Sequence, residues 1–159
     1  MTMKHMAPLA DLARCLDVPV PEDTDDEHQR WTLYQRAIGC EACHPQLLAA
    51  VLLDPDDVLV AAVVTQMMEW VEAPGRERWI ASVRTEKDRR YASRRAGEVD
   101  ILRLQGAIPN LDRELLATWT DWLQIRLAET TTVVGTLDQL ARHGRTKRIR
   151  RTAAQRLME

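Results

Sequence analysis

The sequence predicts an all-α protein arranged as a short stack of antiparallel helix pairs. Three observations lead there. Apolar residues recur at intervals of three and four along most of the chain, the spacing that builds one face of a helix. Runs rich in Thr, Tyr and Ile that would build strands are nearly absent. The 13 Gly and Pro residues fall mainly between the periodic segments, where they start and stop helices. A chain of 159 residues fits one domain with a core of its own. Within 1–159, we read an N-terminal helix and acidic loop over 1–30 and a first repeat-like half over 31–73. A basic helical connector follows over 74–110, then a second repeat-like half over 111–159 that ends in a basic helix.

Taken in order, Pro8–Leu16 places Leu9, Leu12, Ala13 and Leu16 on one helical face and ends at Pro19 and Pro21. Glu22–Glu27 packs acids into a loop that leads into the next helix, where negative charge suits the dipole. That helix carries Trp31, Tyr34, Ala37 and Ile38 inward and stops at Gly39. His44-Pro45 starts another helix, running to Leu53, and Asp54-Pro55-Asp56-Asp57 starts the next, with Asp54 expected to cap its free amides. Val58 to about Glu72 is apolar nearly all round, which predicts a core helix closed by Pro74-Gly75. Arg76–Arg103 reads as one or two helices with a basic outer face and a break near Gly97. Pro109-Asn110 marks a turn and cap, after which Leu115, Trp119 and Trp122 share a stripe. Two last helices are expected at Val133–Arg142 and Arg148–Met158, joined at His143-Gly144.

Charge is unevenly distributed. Met1–Ala73 holds 13 acidic against 4 basic residues (−9), and Pro74–Glu159 holds 11 against 18 (+7). This layout can steer a charged partner, or bring the acidic half of one copy to the basic half of another. No apolar run approaches the ~18 residues of a membrane span, and Asp11 and Arg14 interrupt the first apolar segment, so neither membrane insertion nor an export signal is expected. Three cysteines in such a chain predict free thiols in a reducing compartment, the cytoplasm, rather than a disulfide framework.

Comparing the chain with itself reveals a repeat. Leu137-x-x-Leu140-Ala141, a turn, then Ile149-Arg150-x-x-Ala153-Ala154-x-x-Leu157 resembles a HEAT repeat. Leu47-Leu48-x-x-Val51, Asp54-Pro55-Asp56-Asp57-Val58 and Ala61-Ala62 look like the same unit, departing at Leu59 and Gln66, where Arg and Leu are usual. Tyr34 precedes Val58, and Ile125 precedes Ile149, by the same 24 positions, a period closer to the leucine-rich-repeat variant. The resemblance is therefore HEAT-like or leucine-rich-repeat-variant-like, over about 31–66 and 119–157. It implies a HEAT-like α-solenoid, with an irregular helical bundle as the alternative, in which stacking buries the apolar face of each helix pair.

Residues that could carry chemistry are few. Cys40-Glu41-Ala42-Cys43-His44 fits the c-type haem pattern, but that attachment normally takes place outside the cytoplasm. Cys40 and Cys43 with Cys15, His5, His28 or His44 would suit zinc, yet no second C-x-x-C supports it. The favoured reading makes this segment a turn between units, with the cysteines as small fillers and no cofactor. Asp25-x-x-His28 and Glu41-x-x-His44 lack the further Glu ligands of a di-iron bundle. Ser82, Ser93 and His143 have no sequence partners for nucleophilic catalysis. The remaining signal is basic: Arg142, Arg145, Lys147, Arg148, Arg150, Arg151 and Arg156 near the C-terminal end, and Arg84, Lys87, Arg89, Arg90, Arg94 and Arg95 before Gly97. The expected function is a non-enzymatic interaction module. Arg145, Lys147, Arg148, Arg150, Arg151, Arg84, Lys87, Arg90 and Arg94 form its partner-binding face, with an acidic protein surface favoured as partner and nucleic acid as the alternative.

Overall fold

A computed structural model describes the backbone of residues 3–159 and side chains from Met6 onward. Among the described residues there are ten α-helices, one 3-10 turn and no strand. The chain forms two compact units, Met1–Ala96 and Gly97–Glu159.

The first unit begins with α1 (Met3–Cys15), which starts ahead of Pro8 and buries Leu9, Leu12 and Ala13. Helix α2 (Glu27–Ile38) starts at the Asp26 cap, whose carboxylate accepts from His28 N, and stops at Gly39 as expected. A 3-10 turn (Glu41–Cys43) leads into α3 (His44–Leu53) with Pro45 in its first turn. Helix α4 spans Asp57–Met67, shorter than its apolar pattern suggested. Pro74-Gly75 opens α5 (Ala73–Ser82) instead of closing α4, since proline lacks only an N–H that a first turn leaves unpaired. Helix α6 (Glu86–Arg103) runs unbroken through Gly97, and the break falls earlier, around Val83–Thr85.

Asp54 is not the helix cap. Asp56 caps α4, accepting from Val58 N and Leu59 N, while Asp54 lies fully buried beneath it. Its Oδ1 takes Asp56 N at 2.9 Å, and its Oδ2 takes Arg30 Nε at 2.9 Å and the Tyr34 hydroxyl at 2.7 Å. Arg30 Nη1 in turn donates to the carbonyls of Thr24 and Asp25, so an acidic-loop backbone, α2 and the α3–α4 turn share one buried network. Burial and the adjacent carboxylate push the Tyr34 phenol far above its ordinary range.

The Asp56 carboxyl is held below its ordinary range, chiefly by the Leu59 N–H it accepts. A depressed folded value stabilises the fold above the usual carboxylate range and is lost as pH falls through the folded value. Melting temperature should therefore drop on acidification below about pH 4. Asp56→Asn, which keeps a capping oxygen without the titration, should flatten part of that slope in melts across pH 3–6.

The second unit contains α7 (Arg113–Thr118), α8 (Asp121–Thr130), α9 (Val134–His143) and α10 (Lys147–Arg156). Asp112 caps α7 rather than Asn110, and the chain breaks again at Trp119 because Thr120 caps α8, so the expected Leu115–Trp122 stripe is divided between two helices. The core gathers Leu116, Trp119, Leu123, Leu127, Leu137, Leu140, Ile149 and Ala153. Gly106 sits at φ 68°, where an added Cβ would meet Thr136 at 2.9 Å, so the turn before α7 needs glycine.

Buried positions of α2, α3 and α4 correspond to buried positions of α8, α9 and α10 at a constant separation of 90. Buried Leu33, Tyr34, Ala37 and Ile38 of α2 match Leu123, Gln124, Leu127 and Ala128 of α8. Leu47 and Ala50 match Leu137 and Leu140, and Leu59 and Val63 match Ile149 and Ala153. The sequence comparison had set Val58 against Ile149, one position off. Val58 is 78% exposed and Ile149 1%, whereas Leu59 is buried, so burial fixes the frame that Ala/Leu spacing alone left ambiguous.

Candidate partner-binding surface

Helix α10 supplies the basic surface. Ile149 and Ala153 face the core, which places Lys147, Arg148 and Arg151 on the exposed side, i, i+1 and i+4 along the helix. Thr146 caps the helix through Ile149 N. Its first turn carries no acid, so Lys147 and Arg148 oppose the helix dipole with no acid of α10 itself to offset them there.

Two of the expected binding arginines also make contacts within the fold. Arg145 Nη2 donates to the carbonyls of Ala117 and Trp119, and Arg145 Nη1 pairs with Asp121 at 3.3 Å, so it clamps the end of α7 to the start of α8. Arg150 Nη1 donates to the Gly144 carbonyl at 2.6 Å. Arg156 does similar work at the end of α8, donating to the carbonyls of Glu129 and Thr131, and Arg142 pairs with Asp138 one turn earlier in α9. Arg148 is the intermediate case. It meets Glu129 at 3.3 Å but remains 77% exposed, and an ion pair so exposed holds its partner weakly.

Beside Arg148 lies a shallow cleft lined by Asp121, Trp122, Ile125, Thr146 and Ile149, with the Arg126 guanidinium 5.6 Å from the Trp122 ring centre. The first unit has a cleft between α2 and α4, lined by Glu27, His28, Trp31, Asp56, Val58 and Leu59, with Glu27 and Asp56 at its edge. Neither cleft was anticipated from sequence. The aromatic at each was visible, but the packing that puts it beside the helix after next was not.

The other basic cluster is on α6. Lys87, Arg90 and Arg94 share an exposed face at i, i+3 and i+7, with Arg90 paired to Glu86 at 3.0 Å. Arg84 belongs elsewhere, bonded to the Asp57 carboxylate and the Asp54 carbonyl above the buried network. All four lie within the first unit.

The cysteine segment departs from expectation. Cys15 and Cys43 form a disulfide, with Cα atoms 5.9 Å apart, and only Cys40 is free, which corrects the expectation of three free thiols. Packing of α1 beside the 3-10 turn brings together two cysteines 28 positions apart, a closeness no local spacing reveals. His44 Nε2 donates to the Ile38 carbonyl at 3.0 Å. Of the zinc candidates, the His5 side chain lies outside the described residues, and His28 is solvent-facing beside Glu27 and Asp26. Among the described residues, no three His, Cys, Asp or Glu side chains are grouped to hold a metal ion. No helix there is long and apolar enough to cross a membrane.

The chain matches no protein-family model, no curated protein and no solved structure. Fold and surface thus define an all-α protein with an exposed basic helix beside an aromatic cleft.

Proposed function

We propose that the chain is a non-enzymatic protein-binding module of HEAT-like or leucine-rich-repeat-variant-like type, which captures an acidic segment of a partner on the exposed face of α10. The observation that carries this reading is the exposed set Lys147, Arg148 and Arg151 on one helix, with Arg148 lining the Trp122–Ile125 cleft: cations for carboxylates, and an apolar wall for a neighbouring side chain. The correspondence of buried positions at a separation of 90 supports the repeat part of the reading. The carboxylates of Asp121 and Glu129 already pair with Arg145 and Arg148, and the Trp122–Ile125 wall suits the apolar side chain of a peptide, which favours a short acidic peptide over nucleic acid.

The test uses a fluorescein-labelled Asp/Glu-rich peptide containing one Leu, and a single-stranded oligonucleotide of similar charge. At about 50 mM salt the peptide should bind more tightly, and the double variant Lys147→Glu, Arg151→Glu should weaken it by roughly tenfold or more with little change in melting temperature. Equal peptide binding by wild type and variant, or tighter binding of the oligonucleotide, would overturn the proposal.

A further inference from the structure

We propose that Cys15, Cys40 and Cys43 form a thiol–disulfide exchange site, in which Cys40 takes Cys43 from Cys15 and releases α1 from its covalent tie. The three sulfurs are contiguous: Cys43 Sγ is bonded to Cys15 and lies 3.3 Å from Cys40 Sγ. Two different parts of the fold produce this. Cys40 and Cys43 flank a single 3-10 turn, closed by Cys43 N donating to Cys40 O at 2.9 Å, and side chains three apart on such a turn eclipse one another. Cys15 arrives from the end of α1 through tertiary packing.

Exchange needs no outside oxidant. The Cys40 thiol loses its proton, the thiolate attacks Cys43 Sγ, the Cys15–Cys43 bond breaks as the Cys40–Cys43 bond forms, and the departing Cys15 thiolate takes up a proton. One disulfide and one thiol exist before and after. Exposure is matched to these roles: Cys43, the sulfur attacked, is fully buried, while the entering Cys40 and leaving Cys15 are partly exposed. Burial of the central sulfur hinders small external thiols and leaves the neighbouring Cys40 as its nearest nucleophile. In the exchanged form α1 has lost its covalent tie and is retained by non-covalent packing, to which the buried Leu9, Leu12 and Ala13 contribute.

Tryptic mapping reads the two states directly. With free thiols blocked by N-ethylmaleimide, the original linkage joins peptide Cys15–Arg30 to peptide Ala37–Arg76. The exchanged linkage leaves Cys15–Arg30 alone and blocked, with a disulfide inside Ala37–Arg76. After incubation of the non-reduced protein at about pH 8, where a thiol begins to ionise, we expect the exchanged linkage in roughly a tenth of the chains or more. Each form, separated in acid and returned to that pH, should regenerate the same mixture. Only the original linkage, three blocked thiols, or separated forms that fail to interconvert would overturn the proposal. Cys15→Ser should close the Cys40–Cys43 disulfide with oxidised glutathione, and failure to close it would count equally against the site. Limited proteolysis between α1 and α2 should be several-fold faster in oxidised Cys15→Ser than in Cys40→Ser, and equal rates would remove the release of α1.

Discussion

Asp54→Ala is expected to destabilise the first unit by about 3–5 kcal/mol, the usual cost of stranding one partner of a buried ion pair. Arg30 is 3% exposed and Asp54 0%, so water cannot replace the lost carboxylate. The substitution strands Arg30 Nε, the Tyr34 hydroxyl and the Asp56 amide at once. Urea unfolding followed by tryptophan fluorescence would measure it. A double variant, Arg30→Met with Asp54→Leu, removes charge from both sides and should recover the part of the loss due to the stranded guanidinium, while the Tyr34 hydroxyl and the Asp56 amide stay unpaired. A cost below ~1 kcal/mol for Asp54→Ala would mean that the network holds little of the fold together.

Gly144→Ala is expected to cost the second unit ~3 kcal/mol, at the upper end for overpacking. A Cβ there would stand 2.5 Å from the Leu140 carbonyl oxygen and 2.6 Å from Ile149 Cγ2. That carbonyl already accepts Gly144 N at 2.9 Å, so relieving the clash breaks the end of α9 or displaces Ile149 from the core. Gly135→Ala is the matched control. It lies in α9 with open space around the added methyl, and should stabilise by about 0.5–1 kcal/mol through helix propensity. Denaturation midpoints of the two variants should therefore move in opposite directions.

Much of the helical layout was legible because its punctuation is local. Gly39, Pro45 and Gly144 each act within a few residues, and the helices they bound fall close to expectation. Pro74 misled because proline both follows helices and begins them, and the residues around it carried no further signal. Arg30 and Gln124 were passed over because a charged or amide side chain on an amphipathic helix normally faces solvent, and only tertiary partners disclose their burial. The basic surface was legible as composition but not as assignment. Arg145 and Arg150 look like their neighbours in sequence, yet their targets are carbonyls of turns and helix ends that exist only once α7–α10 have packed.

Gln124 sets the size of the smallest piece that can stand by itself. Its Nε2 donates to the carbonyls of Leu116 and Trp119 while its Oε1 accepts Arg145 N at 2.9 Å, as Tyr34 reaches Asp54 in the first unit. A leading helix therefore indexes the hairpin that follows it, and a slip by one residue would strand a buried amide. Any graft or truncation that cuts between α8 and α9, or between α7 and α8, strands part of that amide, so α7 to α10 belong in one piece.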